Sequence, residues 1–392
     1  MRPLDGITVV SLEQAVAAPF ASRQLADLGA RVIKIERPKV GDFARDYDRT
    51  VKGLSSHFVW LNRSKESLTL DVKYPAAKDV LGKLVTRADV FIQNLAPGAA
   101  ARLGFGADGL LAAHPRLIVC DISGYGDSGG YAQKKAYDLL VQSEAGVLSV
   151  TGTPGTPSKV GISIADIATG MYAYSGILTA LLQRGKTGKG GRVEVTMFEA
   201  VGEWMCYPLY YTHFGGSAPA RTGPDHATIV PYGRFRAADG KDVMLGLQNE
   251  REWATFCDKV LGQPALARDR RYDSISKRND CRQELTAIID EVFSRLTAEE
   301  LVAKLDAAGI ANARINTPDE VWDHPQFRAR NRWREFASPA GPLPAPLPPA
   351  TVSGFEARMD PVPRIGEHSE SILGELGYGA AEIAALRAEG AI

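Results

Sequence analysis

Short β-branched segments alternate with helical segments in the first part of the chain. Residues 7–12 and 31–36 are β-branched runs, and residues 20–28 between them carry apolar side chains at helical spacing. Gly29 follows this helical segment at the position that a helix C-cap favours. A strand, a helix and a strand in succession form a βαβ unit, which predicts parallel strands and a right-handed crossover.

The alternation continues over about the first two hundred residues. It predicts helices over 80–85 and 164–184 and from about Phe198, and strands over 89–93, 117–122 and 192–197. Repeated βα units favour an α/β fold with an open, doubly wound parallel sheet. We therefore predict this fold for the first part of the chain.

Changes in composition divide the rest of the chain. Gly, Ser, Pro and Thr dominate residues 215–223, a smaller unit with a strand at 242–246 and several helices follows, and residues 338–350 are Pro-rich. We predict a large domain over 1–215, a small α/β domain over 216–325, and a return linker with the C-terminal part of the large domain over 326–392.

Charge and composition exclude several classes of function. The 46 basic and 46 acidic residues cancel, which argues against general binding to nucleic acids or anionic membranes. The four cysteines and six histidines show no metal-site or redox spacing, so we expect no metal. The amino terminus lacks the apolar segment of a signal peptide and no apolar run is long enough to span a bilayer, so we expect a cytoplasmic protein.

Common catalytic and nucleotide-binding motifs are also missing. The glycine-rich residues 124–130 and 185–190 fit neither the dinucleotide fingerprint nor the Walker loop, and the chain has no GxSxG elbow. These observations disfavour classical NAD or ATP binding and the usual serine hydrolases.

Asp166 is the most informative carboxylate, because it lies among small and apolar residues near the start of the long predicted helix. Taken alone, the position is explained by helix capping, in which the carboxylate accepts bonds from free N–H groups. The functional alternative is a carboxylate nucleophile held where backbone N–H groups also stabilise an oxyanion.

Several segments resemble the class III CoA-transferases, a family that includes formyl-CoA transferase and carnitine CoA-transferase. They run over nearly the whole chain with consistent spacing, at residues 3–38, 68–73, 88–105, 135–152, 161–200 (GISIADIATG and onward), 309–327 and 364–378. The resemblance implies a Rossmann-like large domain, built from both termini, in an interlocked homodimer. It also implies that Asp166 is the catalytic nucleophile, which forms an aspartyl anhydride and then an aspartyl-CoA thioester.

The resemblance also implies a coenzyme A site, with CoA entering as acyl-CoA. The matching positions are Arg37, Leu70, Lys73, Asn94, Leu95, Arg102, Lys135 and Tyr137. A single basic residue is usually a solvated surface charge, but several at matching positions favour phosphate binding. Leu95 stands where some relatives have an aromatic residue, and Tyr137 is expected to orient the substrate or the CoA thiol.

The acyl pocket departs from the formyl-CoA branch of the family. Val16 replaces that branch's glutamine and the chain has no tetraglycine loop, which disfavours oxalate as a substrate. Residues 221–233 and 246–253 resemble members that handle dicarboxylates such as succinate, so succinyl-CoA is the expected donor. Arg221 or His226 could then pair with the remote carboxylate of such a substrate. It is an equally good interpretation that Arg221 is a surface charge of the linker and that His226 is a loop histidine with its hydrogen bonds satisfied.

Two other functions compete with CoA transfer. An acyl-CoA racemase shares this family, but relatives of that type have a histidine directly before an aspartate where this chain has Tyr137 and Asp138. A phenol is a poor base at neutral pH, which disfavours racemisation. The third possibility is an acyl-CoA-binding protein without activity, in which Asp166 is only structural.

Overall fold

The computed structural model describes residues 1–392. Its strands, in chain order, are β1 (Thr8–Leu12), β2 (Arg31–Glu36), β3 (Lys65–Thr69), β4 (Val90–Gln93), β5 (Ile118–Ser123), β6 (Gly152–Thr153), β7 (Thr156–Pro157), β8 (Gly191–Thr196), β9 (Tyr232–Arg236), β10 (Asp242–Gly246), β11 (Ala311–Arg314), β12 (Trp333–Phe336) and β13 (Leu343–Pro346).

The α-helices connect these strands. In chain order they are α1 (Ala17–Asp27), α2 (Ser56–Asn62), α3 (Pro75–Arg87), α4 (Ala99–Arg102), α5 (Ala107–Ala113), α6 (Asp138–Glu144), α7 (Val147–Val150), α8 (Ile164–Thr187), α9 (Met197–Trp204), α10 (Cys206–Gly215), α11 (Glu250–Thr255), α12 (Ile275–Asp280), α13 (Arg282–Phe293), α14 (Ala298–Ala307), α15 (Pro318–Trp322), α16 (Pro325–Ala329), α17 (Ser369–Glu375) and α18 (Ala380–Ala388). Short 3₁₀-helices at Phe43–Asp46 and Pro264–Arg268 and a π-turn at Phe256–Val260 complete the list. None of the helices is both long enough and apolar enough to cross a membrane.

Six strands form one parallel sheet in the order β3-β2-β1-β4-β5-β8. The expected α/β fold with a parallel central sheet is confirmed. The strand order reverses direction between β1 and β4, which is the switch point where doubly wound sheets bind ligands beyond their strand ends. β3 was not among the predicted strands, because Lys65 and Glu66 interrupt its apolar pattern.

Alternate residues of the strands supply two cores, one on each face of this sheet. Val10, Ile33 and Phe91 pack on one face with residues of α3 and α17, whereas Val9 and Val90 pack on the other with residues of α1 and α8. Strands buried on both faces explain why the sequence shows them as nearly continuous apolar runs.

The chain forms two compact units. The larger contains residues 1–145, 160–206 and 327–392, and the smaller contains residues 146–159 and 207–326. The smaller unit has the antiparallel sheet β11-β10-β9 and a core around Trp253, Phe256 and Phe293. The domain boundaries inferred from the sequence remain predictions.

The C-terminal residues pack on the sheet of the larger unit. The backbone N–H of Thr69 donates to Ser369 Oγ at 3.1 Å, and that of Asp71 donates to the Ala391 carbonyl at 2.8 Å. Ile372 and Leu373 of α17 are buried in the core on the same face. The chain end thus stabilises β3, which lies at an edge of the sheet.

Candidate active site

A cavity of about 500 Å³ lies at the carboxyl ends of β1 to β4. Leu12, Ile35 and Leu70 supply buried apolar side chains to it, and Leu95 closes it from the end of β4. This is the switch-point edge of the sheet. The arrangement suits a ligand that has an apolar or planar part to bury.

Three exposed cations line the same cavity. Arg37 follows β2, Lys73 follows β3, and Arg102 is the last residue of α4. Their side chains come from three separate connections, so only the parallel sheet brings them together. An apolar floor with cations on its rim matches a ligand that carries phosphates at one end.

Five of the eight residues predicted for coenzyme binding therefore share one cavity, and the other three lie elsewhere. Asn94 clamps the backbone of Gln14: its Oδ1 accepts from the Gln14 N–H and its Nδ2 donates to the Gln14 carbonyl, both at 2.9 Å. Lys135 and Tyr137 are exposed on the segment that leads into α6. Val16 is buried at the N-cap of α1.

Asp166 is in the first turn of α8, three residues after the N-cap Ser163. α8 runs into β8 through a tight connection that begins at Gly188, so its N-terminal end lies at the carboxyl edge of the sheet. Gly170 allows α8 to approach α1 closely, because a Cβ there would lie 2.7 Å from the Ala17 carbonyl oxygen. Asp166 and the cavity therefore occupy the same edge of the larger unit.

Asp138, and not Asp166, caps α8. Oδ1 of Asp138 accepts from the N–H of Ala165 at 2.8 Å and from the N–H of Asp166 at 3.3 Å. The capping interpretation of Asp166 is therefore wrong. These two N–H groups are bonded to Asp138, and the expectation that backbone N–H groups stabilise an oxyanion beside Asp166 stays a prediction.

The carboxylate of Asp166 accepts no hydrogen bond from the protein. Burial, and then the charge of Asp138, raise its pKa from the ordinary value to about 7. Both causes act against ionisation, and no cation offsets them. A carboxyl group with this pKa is partly ionised at neutral pH and is more basic than an ordinary aspartate.

Tyr47 interacts electrostatically with Asp166, and no pattern in the sequence indicates this. Tyr47 follows the 3₁₀-helix Phe43–Asp46. Burial raises its pKa to about 12, with further contributions from Asp42, Asp166 and Tyr137. The Tyr47 phenol therefore stays protonated at neutral pH and can donate a hydrogen bond near the Asp166 carboxylate.

A fully buried ionic cluster supports the loop after β1. Lys34 Nζ lies 2.7 Å from Asp42 Oδ2 and 3.2 Å from Glu13 Oε1, and Lys65 Nζ lies 2.6 Å from the same Glu13 oxygen. Asp42 Oδ1 accepts from the N–H of Ala15, whose φ of 62° is left-handed. The cluster thus holds the loop in a conformation that a non-glycine residue seldom adopts.

The sequence contains one signal for this cluster. Lys34 stands in the otherwise apolar run of β2, and a central parallel strand has no exposed face for it. A charge there requires a buried partner, but the sequence cannot say which carboxylate supplies it.

Arg221 and His226 are both engaged within the smaller unit. Arg221 donates to the backbone carbonyls of Ser149, Thr153 and Pro154, which accounts for its position without a substrate. Nδ1 of His226 accepts from two backbone N–H groups, and burial followed by the charge of Arg282 lowers the pKa of the imidazole. A neutral His226 is a weak partner for a carboxylate.

Comparison with known proteins agrees over nearly the whole chain. The family model described as CoA-transferase family III matches residues 4–369. Succinyl-CoA:glutarate CoA-transferase of Homo sapiens is 32% identical over 380 residues, covering 96% of this chain and 86% of that protein. Acetyl-CoA:oxalate CoA-transferase of Acetobacter aceti is 34% identical over 366 residues, covering 93% of this chain and 92% of that protein. A crystal structure of a CAIB/BAIF family protein from Brucella suis, 32% identical, has a TM-score of 0.83 and covers 96% and 99%.

Proposed function

Because the chain belongs to CoA-transferase family III and is a CoA-transferase, we propose that Asp166 is its nucleophile. The enzyme would move CoA from a short dicarboxylyl-CoA, succinyl-CoA in particular, to a short carboxylic acid. The observation that carries the proposal is the Asp166 carboxyl group: it accepts no hydrogen bond, is raised in pKa, and lies at the sheet edge that holds the cavity. A structural carboxylate in such surroundings would be expected to have a donor or a cation beside it.

The reaction conserves the thioester. The Asp166 carboxylate attacks the thioester carbonyl of the donor, the carbon–sulfur bond breaks, and CoA leaves as the thiolate from a mixed anhydride. The thiolate then attacks the aspartyl carbonyl and releases the donor acid as a carboxylate, which leaves an aspartyl-CoA thioester. The acceptor carboxylate repeats the two steps in reverse order, so no ATP is consumed.

The oxyanion of each tetrahedral intermediate needs a hydrogen-bond donor. The first N–H groups of α8 donate to Asp138 and are therefore occupied. We assign this role to the Tyr47 phenol, which is coupled electrostatically to Asp166 and stays protonated at neutral pH. Tyr137 is exposed and orients the thiol end of CoA in this proposal.

The cavity beside β1 to β4 would hold the nucleotide end of CoA. Leu70 and Leu95 would contact the adenine and ribose, while Arg37, Lys73 and Arg102 would bind the phosphates. Asn94 would act through Gln14, which also lines the cavity. Lys135, exposed on its own segment, would contact a phosphate or the pantetheine from the far side.

A cytoplasmic homodimer is part of the proposal. α10 has no buried residue, and Tyr207, Leu209, Tyr210 and Phe214 are all more than half exposed. Apolar patches of this kind on a soluble protein usually mark an interface. Light scattering after gel filtration should give twice the mass of one chain.

The decisive experiment traps the covalent intermediate. The enzyme is incubated with succinyl-CoA and a panel of mono- and dicarboxylic acids, and the CoA esters are identified by mass spectrometry. Hydroxylamine should convert Asp166 to a hydroxamate only after acyl-CoA is added, and Asp166→Asn should lose both the adduct and at least about 1,000-fold in turnover.

Asp121→Asn is a matched control, because Asp121 is a carboxylate of the same sheet edge that pairs with Arg192. It should keep the adduct and the turnover. Turnover of Asp166→Asn within about tenfold of the wild type, a barrier change of only ~1.4 kcal/mol, would contradict the nucleophile assignment. Exchange of α-deuterium without an acceptor acid or an adduct would point to a racemase.

A further inference from the structure

Asp138 and Asp166 face each other but have opposite hydrogen-bond surroundings. Both oxygens of Asp138 accept: Oδ1 from the N–H groups of Ala165 and Asp166, and Oδ2 from Gln142 Nε2 at 2.7 Å. The Asp166 carboxyl group accepts from no group of the protein. Donors stabilise the ionised form of a carboxylate, and in this pair only the Asp138 carboxylate has them, whereas the pKa of Asp166 is raised.

The donor on the far side of Asp138 is fixed in orientation. Gln142 is fully buried, and its Oε1 accepts from the N–H of Val160 at 2.9 Å. The amide must therefore point Nε2 toward Asp138.

Few other titratable groups face Asp166. Tyr47 interacts electrostatically with Asp166, and also with Asp42 and Tyr137. A phenol is uncharged at neutral pH. The Asp138 carboxylate is therefore the charge that, after burial, raises the pKa of Asp166.

We propose that Asp138 is a positioning residue for Asp166. It holds the first turn of α8 by hydrogen bonds, and its charge keeps the proton on Asp166 until the pH rises to neutrality. This inference rests on the proposed function for its kinetic consequence. A more basic carboxylate is a stronger nucleophile. Asp138 therefore makes less of the Asp166 carboxylate available at acidic pH but makes that carboxylate more reactive at neutral and higher pH.

The test is the pH profile of kcat/KM, which reports ionisation in the free enzyme. The wild type should lose activity as the pH falls below about 7. Asp138→Asn keeps an oxygen that can cap α8 but removes the charge, so its acid limb should move to lower pH by at least about half a unit. Glu144→Gln is the matched control: it removes a carboxylate from the same helix that pairs with Lys134, and it should leave the limb unchanged.

An equal loss of kcat/KM at every pH in Asp138→Asn, with the limb unmoved, would show that Asp138 is only a structural cap and would overturn the inference. A second measurement needs no variant. A water-soluble carbodiimide reacts with protonated carboxyl groups, so at pH 6.5 it should label Asp166 and spare Asp138 in the wild type, as mapped by peptide mass spectrometry.

Labelling of Asp138 instead would contradict the inference even where Asp138→Asn does not fold. The two proposals fail separately. Labelling of Asp166 together with an active Asp166→Asn enzyme would refute the nucleophile and leave the proton assignment standing. Labelling of Asp138 together with an inactive Asp166→Asn enzyme would refute the proton assignment and leave the nucleophile assignment standing.

Discussion

Two groups of buried acidic residues in the larger unit show opposite pKa shifts. Burial by itself would raise the pKa of Glu13, but the charges of Lys34 and Lys65 lower it to about 2. Burial raises the pKa of Asp166 as well, and the neighbouring Asp138 raises it further, to about 7. Burial acts in the same direction on both carboxyl groups, so the sign of the shift is decided by the neighbouring charges.

The difference separates a structural site from the site that we propose to be reactive. The Glu13 cluster satisfies each of its charges with a partner and fixes the loop after β1. In the pair of Asp138 and Asp166, the Asp166 carboxyl group has neither a hydrogen-bond donor nor a cation beside it. This lowers the stability of the fold, which a purely structural role would not require. Sites that sacrifice stability in this way are commonly functional.

The largest expected effect is the loss of the Glu13 charge. Glu13→Gln leaves the buried ammonium groups of Lys34 and Lys65 without their shared carboxylate and should lower the free energy of unfolding by about 3–5 kcal/mol. Urea denaturation at pH 7.5 measures this change. Glu66→Gln, in which a half-buried carboxylate loses its pair with Arg31, should cost about 1 kcal/mol or less. Equal losses in the free energy of unfolding for Glu13→Gln and Glu66→Gln would show that the buried cluster stabilises the fold no more than an ordinary ion pair does.

The second effect has the opposite sign. Asp166→Asn should raise the free energy of unfolding at pH 8, by on the order of 1–3 kcal/mol, since it removes an unpaired and partly buried charge. The pKa of Asp166 is about 7 in the folded chain and about 4 in an unfolded one. Between these values the folded state binds more protons, so the wild type loses stability as the pH rises through this window.

The gain in Asp166→Asn should therefore fall toward zero as the pH is lowered from 8 to 4. Thermal unfolding at a series of pH values checks both the sign and the window. A destabilised Asp166→Asn at pH 8 would mean that Asp166 has a stabilising partner, contrary to its hydrogen-bond surroundings. Glu144→Gln, a surface change, should show no such gain.

The smallest effects are expected at the cavity rim, where charges are solvated. Lys73→Ala and Arg102→Ala should each raise KM for the acyl-CoA about tenfold, or ~1.4 kcal/mol, with kcat nearly unchanged, because phosphate contacts are the same in the ground state and the transition state. Steady-state kinetics with Lys186→Ala, a change in an exposed lysine of α8, provides the control. A collapse of kcat at unchanged KM would assign these residues another role.

Much of the larger unit could be predicted from local pattern. β2 lies at the predicted residues, and α8 begins where predicted and extends three residues beyond the predicted end. Strands buried on both faces require unbroken apolar runs, which are visible in a sequence. β3 escaped prediction because the charges of Lys65 and Glu66 hide its pattern, and the buried partner of Lys65 is 52 residues away in the chain.

The candidate site was only partly accessible from the sequence. The resemblance to a family predicted Asp166 and eight coenzyme-binding residues by position, five of which line one cavity. The chemistry of Asp166 depends on neighbours that the sequence does not connect. Asp138 is 28 residues before Asp166 and takes the capping role that local pattern assigned to Asp166.

The sequence by itself determined five of the six strands of the parallel sheet, the long helix α8, and which residue types were available at each position. The tertiary structure alone decided which carboxylate has cations beside it and which has another carboxylate. The physical reason is that a pKa depends on charges and donors within a few ångströms, and these distances arise only when distant segments pack together.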